Sequence, residues 1–295
     1  MLYADDSQLY IVSEKLHDDI GSFEACTDEV RDWIKSHLLI LNEDKTELVH
    51  FTSVLKPEAV KLDSLRVGSC DITPSQSVRN LRVMFDDDCL MTSQVNTISK
   101  SAYFALFRIS KIRNLLDRAT TEKLIHAFVS SKLEYCNSLL VGIPQNQLSK
   151  LQSVQNAAAK LISRSRKYDE VSPILYDLHW LKVEFRINFK IMLFVFKILS
   201  GHAPHYLSSL IERYVPGNHS LRSGDLNIVT LVRTDKHKKT KENPRTTTKR
   251  YGWRAFFVVA PFLWNELPRS VRKSPNLVTF KSGLKTFYFK KQFNL

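Results

Sequence analysis

Two adjacent carboxylates, Asp5 and Asp6, follow the apolar run Met1-Leu2-Tyr3 in the opening MLYADDSQLYIV, and an apolar/polar alternation through Leu9, Tyr10, Ile11 and Val12 follows them. The pattern reads as strand, tight turn, strand with the acids at the tip. Carboxylates on a rigid hairpin suit a hard cation such as Mg²⁺, which takes oxygen ligands and keeps waters for a phosphate substrate. The same residues also suit an ordinary Asp-rich turn, because Asp readily bonds its own backbone. His202 and His205 in GHAPHYL have a spacing that binds metal elsewhere. No Cys or carboxylate stands close enough to complete a tetrahedral set, and Pro204 lies between them, so no metal role is expected there. The four cysteines, Cys26, Cys70, Cys89 and Cys136, form no C-x₂-C pair. Neither a zinc site nor a disulfide framework is expected, and a reduced intracellular compartment, nuclear or cytoplasmic, fits best.

The second chemical signal is charge. The chain of 295 residues carries a formal +13, unevenly spread: residues 1–100 hold 10 Lys and Arg against 18 Asp and Glu, and the remainder holds 33 against 12. An acidic front and a strongly basic back point to two parts with different work. A basic excess of this size favours a polyanion partner through counterion release. Candidate phosphate contacts are Lys160, Arg164, Arg166 and Lys167, then Lys236, Lys238, Lys239, Lys241, Arg245, Lys249 and Arg250. Tyr251 and Trp253 lie among the last of these, and aromatics interleaved with cations suit stacking on single-stranded bases. The Lys-rich run also reads as a solvated loop, and Phe262 and Trp264 read as core. The opening carries acids where a secretory leader carries Lys or Arg, so secretion is not expected. The longest apolar stretch, INFKIMLFVFKIL, has 13 residues and contains Lys190 and Lys197. It is too short and too charged to span a bilayer, and a core helix is expected.

These residues must be positioned by local elements. Leu16, Ile20, Phe23, Thr27, Val30 and Ile34 recur at helical spacing, which predicts an amphipathic helix over 14–37. LLILNEDKTELVHF predicts a turn at Asn42-Glu43-Asp44 and a strand through Leu48, Val49 and Phe51. Residues 62–86 predict short strands separated by turns, with Asp86-Asp87-Asp88 a solvated turn after the last. From Thr92 to about 166 the pattern is helical. Phe104, Leu106, Phe107, Ile109, Ile112, Leu115 and Leu116 mark one helix, and TTEKLIHAF marks a helix start at a Thr. LSKLQSVQNAAAKLIS marks another, with Leu151, Val154, Ala158, Leu161 and Ile162 inward and Gln152, Asn156 and Lys160 on the other face. Beyond Arg166 a helical section runs to about 215, then a polar connector over 217–252 and an aromatic, basic last stretch. The fold class expected is α+β, divided as 1–91, 92–166 and 167–295.

Taken in order, YADD, a helix and LNEDKTE resemble the reverse transcriptases of non-long-terminal-repeat retrotransposons (LINE-type, jockey-like). KLEYCNSLLVGIP with LQSVQNAAAKLI resembles the segment after their catalytic palm, and FFVVAPFLWNELPRSVRKSPNLVTFKSGLKTFYF resembles their C-terminal end. The resemblance covers nearly all of the chain.

It implies that 1–91 is the C-terminal half of a polymerase palm, 92–166 a thumb-like helical domain and 167–295 a basic, mostly helical extension. It implies that Asp5 binds the catalytic Mg²⁺ with Asp6 supporting it, and that Lys45 lies near the incoming nucleotide's phosphates, where a cation stabilises the leaving pyrophosphate. Leu81-Arg82-Val83 stands where the family carries LGV, so Arg82 replaces a glycine of the primer-grip hairpin. Two-metal phosphoryl transfer needs carboxylates from two places to clamp ions about 4 Å apart, and the family's other metal-binding Asp, with its fingers and nuclease, lies upstream of YADD. The expectation is therefore a fragment of an RNA-directed DNA polymerase, a nucleotidyltransferase that is catalytically incompetent as an isolated chain. Its partners are RNA and a DNA primer–template, with an intact retrotransposon polymerase in trans as a further partner and no membrane. The alternatives are a non-enzymatic RNA- or DNA-binding module, or a non-functional relic of a transposable element.

Overall fold

The computed structural model describes residues 2–3, 6–13, 16–51, 62–213, 229–231 and 252–295. It is α+β. The described strands form four separate two-stranded antiparallel ribbons, and helices make up most of the rest. The chain divides into two compact units, Met1–Gln94 and Val95–Leu295.

In the first unit, β1 (Leu2–Tyr3) and β2 (Asp6–Ser7) pair with Leu2 opposite Ser7 and Tyr3 opposite Asp6. The alternation over Leu9–Val12 does not extend the second strand. Residues 8–13 are irregular, and Tyr10 and Val12 are exposed. Helix α1 (Leu16–Ser36) forms where the apolar spacing predicts it. It ends as Leu38 turns left-handed at φ 59°, with the Leu39 N–H donating back to the Ile34 carbonyl and the Leu38 N–H to Lys35. That is a glycine-type helix stop made by a leucine. The carboxylate of Glu24 on α1 accepts the Arg66 N–H at 2.9 Å and so fixes the helix to β3 (Leu65–Val67).

The turn at 42–45 forms as a short 3₁₀ segment over Glu43–Lys45, and Asn42 accepts the Lys45 N–H through its side chain and its carbonyl. The strand expected through Leu48, Val49 and Phe51 does not form. The Leu48 carbonyl accepts a single N–H from Ser75, without a ladder around it. The short strands expected over 62–86 do form. β3 pairs with β4 (Cys70–Ile72), and β5 (Ser77–Asn80) pairs with β6 (Val83–Asp86). The second hairpin turns on Leu81 and Arg82, both left-handed at φ 46° and 66°. A two-residue turn of this hand matches the twist of the strands, and it is built best from Asn-Gly. Asp86 is not solvated. It is buried and accepts the Ser93 N–H at 3.1 Å, capping the start of α2 (Thr92–Ile112).

The second unit is helical. After α2 come α3 (Arg118–Ile125), a π-helical turn over His126–Ser130, α4 (Ser131–Glu134) and α5 (Gln145–Ser163). Then follow α6 (Ser172–Asp177), α7 (Val183–Leu199), α8 (His205–Ser208), α9 (Phe256–Asn265), α10 (Arg269–Arg272) and α11 (Leu277–Phe293). A small ribbon of β7 (Ile211–Arg213) and β8 (Val229–Leu231) lies between α8 and α9. Helix α3 begins earlier than TTEK predicts, because Asp117 caps it by accepting the Thr120 N–H at 2.7 Å.

The core joins Leu151, Val154, Ala158 and Ile162 of α5 with Ile187, Ile191 and Val195 of α7, all almost wholly buried. The apolar stretch expected as a core helix is α7. Beyond it Phe196 stacks on Phe280 of α11, and Trp264 of α9 packs on the same ring. Trp264 is buried as expected, whereas Phe262 is half exposed and meets Trp253 edge-on.

Three glutamine amides, of which Gln155 is buried, hold the corner that leads into α7. Gln155 donates to the Leu181 carbonyl, Gln152 accepts the Val183 N–H, and Gln292 accepts the Lys182 N–H and donates to the Trp180 carbonyl. Chain on either side of residue 166 therefore shares one core. Among the described residues no helix is long and apolar enough to cross a membrane.

Candidate nucleic-acid interface

The described basic candidates gather at the C-terminal end of α5. Arg164 ends that helix in the left-handed conformation at φ 55°, and the following chain folds back so that the Ser165 N–H donates to the Lys160 carbonyl. The Lys160 ammonium reaches across this turn to the Lys167 carbonyl at 2.6 Å, so Lys160 braces the loop that carries its neighbours. Arg166 and Lys167 are exposed on the loop, which is closed by the Asp169 carboxylate accepting the Arg166 N–H at 2.7 Å. The Lys167 ammonium lies 5.6 Å from the ring centroid of Tyr168, which is almost fully exposed. Cations at a helix C-terminus are favoured by the dipole, so the cluster costs little to keep.

What holds this end in place is a residue that sequence reasoning passed over. Arg113 follows α2 and is buried. Its guanidinium donates to the carbonyls of Leu161, Ile162 and Leu116, each at 2.8 Å. Arg164 donates to the same Leu116 carbonyl at 3.4 Å. Burial, and then the nearby charge of Arg164, lower the Arg113 pKa below the ordinary arginine range, while Asp117 opposes that shift. The group stays charged at neutral pH, since arginine begins so far above it. An arginine three residues beyond Ser110 at the end of an amphipathic pattern carries no sign in sequence that it turns inward.

The solvent face of α2 is the second feature missed. Leu106 and Ile109 are buried as their spacing predicts, but Phe104 is 63% and Phe107 58% exposed, and Ile112 and Leu115 are also exposed. The apolar residues of this helix thus form two faces, and spacing alone does not say which is inside.

The remaining expected residues fall elsewhere. Trp253 is half exposed in a 3₁₀ turn over Gly252–Arg254, anchored by Arg254, whose Nε donates to the Val141 carbonyl at 3.0 Å. Gly142, left-handed at φ 65°, permits that approach, because a Cβ there would lie 2.8 Å from the Arg254 Cγ. Lys236, Lys238, Lys239, Lys241, Arg245, Lys249, Arg250 and Tyr251 lie outside the described residues, as does Asp5. Asp6 pairs with Tyr3 in the first ribbon, and Lys45 is exposed at the end of its 3₁₀ segment. Among the described residues no group of three His, Cys, Asp or Glu side chains comes together to hold a metal ion. Asp86 is engaged as a helix cap.

What the arrangement can do is bind an anion chain. Exposed guanidinium and ammonium groups beside an exposed ring are the side-chain types that make phosphate contacts and stack on bases. Comparison with known proteins gives no match: no family model, no curated protein and no solved structure is significantly similar to the chain.

Proposed function

We propose that the chain is a nucleic-acid-binding segment of a reverse-transcriptase-type protein, acting on RNA or on a primer–template through its cations and rings. The observation that carries the binding is the braced end of α5, where Arg164, Arg166 and Lys167 are exposed, Lys167 beside the Tyr168 ring, on a loop held by Lys160. The polymerase kinship rests on the ordered motifs YADD, LNEDKTE, KLEYC and the C-terminal FLWNELP run. On this reading the first 91 residues are part of a palm, and residues 92–166 and 167–295 hold the nucleic acid.

A filter-binding titration of the full chain with single-stranded RNA tests the reading. Binding at low salt that weakens steeply between about 50 and 200 mM supports it. Absence of binding at low salt overturns it. A primer-extension assay with Mg²⁺ on a primed RNA template tests the kinship. Extension that disappears in Asp5→Ala would make the chain an enzyme and displace the binding-only reading.

A further inference from the structure

We infer that the solvent face of α2 is a base-stacking site for a single nucleic-acid strand, continuous in chemistry with the α5 end; this rests on the binding function proposed above. Lys100, Phe104, Phe107, Arg108 and Lys111 recur at the three- and four-residue steps that place side chains on one helix face. The opposite face, with Val95, Ile98, Ala102, Leu106 and Ile109, is buried in the core, so the aromatic face is surplus to packing. Each ring is matched to a cation four residues on. The Arg108 guanidinium lies 6.0 Å from the Phe104 centroid and the Lys111 ammonium 4.9 Å from that of Phe107. Phe104 to Lys111 spans about 10 Å along the axis, enough to meet successive nucleotides.

Charge selects the occupant. Helix α2 contains no Asp or Glu, so every charge on its exposed face is positive. A second copy of the chain docked face to face would set Lys100, Arg108 and Lys111 against their own kind without an acid to answer them. A lipid surface takes a helix whose apolar and cationic faces are segregated. Here the cations are interleaved with the rings, and the apolar face is already covered. A single strand offers both complements at once, bases for the rings and phosphates for the cations. Arg113 joins the end of α2 to the end of α5, so the Phe107–Lys111 pair and the Lys167–Tyr168 pair belong to linked helix ends.

The experiment is fluorescence anisotropy of the full chain with labelled oligodeoxythymidylate, beside an abasic strand of equal phosphate count. Three proteins are compared: wild type, Phe104→Ala/Phe107→Ala, and Phe104→Leu/Phe107→Leu, with thermal unfolding as the check on folding. Both ring positions are exposed, so truncation leaves the core intact. Loss of the rings is expected to weaken thymidylate binding at least about tenfold in both variants and to leave the abasic strand unchanged. Leucine keeps apolar bulk and so separates stacking from greasy contact.

Equal thymidylate affinity in all three proteins overturns the inference while the binding function stands. Equal weakening on both strands overturns it too, since the effect then does not involve bases. Ring variants that bind thymidylate normally but lose self-association or vesicle partition assign the face to a second copy or to lipid. No strand binding by wild type removes the inference together with the function beneath it.

Discussion

Arg113, just after α2, donates from Nη2 to the carbonyl of Ile162 in the last turn of α5 across 2.8 Å, and one buried guanidinium thereby ties together the two helix ends that carry exposed cations. Two of its carbonyl acceptors, Leu161 and Ile162, lie in the last turn of α5, where carbonyls lack an intrahelical donor, and the third is the Leu116 carbonyl that Arg164 also reaches.

Replacing Arg113 by alanine is expected to destabilise the protein by about 2–4 kcal/mol, because buried acceptors lose a charged donor and a cavity opens. Arg113→Lys should recover only a minor part, since a single ammonium cannot reach the same three oxygens in a planar fork. Urea unfolding of the three proteins measures this. A lysine variant as stable as wild type would show that charge, rather than the fork, holds the helix ends.

The β5–β6 turn carries stored backbone strain that a single substitution relieves. Arg82 sits at φ 66°, where a Cβ is disfavoured by about 1–2 kcal/mol, and glycine gives back part of that in chain entropy. Arg82→Gly is expected to stabilise the protein by about 0.5–1 kcal/mol, read as a higher unfolding midpoint. A lower midpoint would mean that the Arg82 side chain contributes more than its backbone costs.

Asp117 gives the helix bundle an acid sensitivity of known sign. Its hydrogen bonds from Thr120 hold the carboxyl below the ordinary carboxylate range. A depressed folded pKa means that the stabilisation is present above the unfolded value of about 4 and is lost as pH falls through the folded one. The stability difference between wild type and Asp117→Asn should therefore be constant near neutrality and shrink below about pH 4. A difference that grows on acidification would contradict the cap as the cause.

Much of this architecture could be read from residue spacing, and the parts that could not share a physical reason. The inward face of α5 follows from Leu151, Val154, Ala158 and Ile162, since four apolar residues at helical steps have one way to be buried. α1 was legible for the same reason, and the short strands over 62–86 from the turn residues between them. That no strand forms through Leu48 and Phe51 was not, because β pairing depends on a distant partner that a local pattern does not reveal. Arg113 and Gln155 were read past because polar residues are ordinarily exposed, and only the tertiary neighbours supply the carbonyls that let them turn inward. The exposure of Phe104 and Phe107 was not legible either, since a helix with apolar residues on two faces does not declare which one the bundle covers. The basic end of α5 was legible as charge. Its bracing by Lys160 was not.

The most direct measurement of polynucleotide binding is the slope of log affinity against log salt for single-stranded RNA, taken for wild type and for Arg164→Gln/Arg166→Gln/Lys167→Gln. Each phosphate contact on a single strand contributes about 0.7 to that slope. The triple variant should bind more weakly and lose about 2 from the magnitude of the slope. Equal slopes for the two proteins would contradict a binding site at the end of α5.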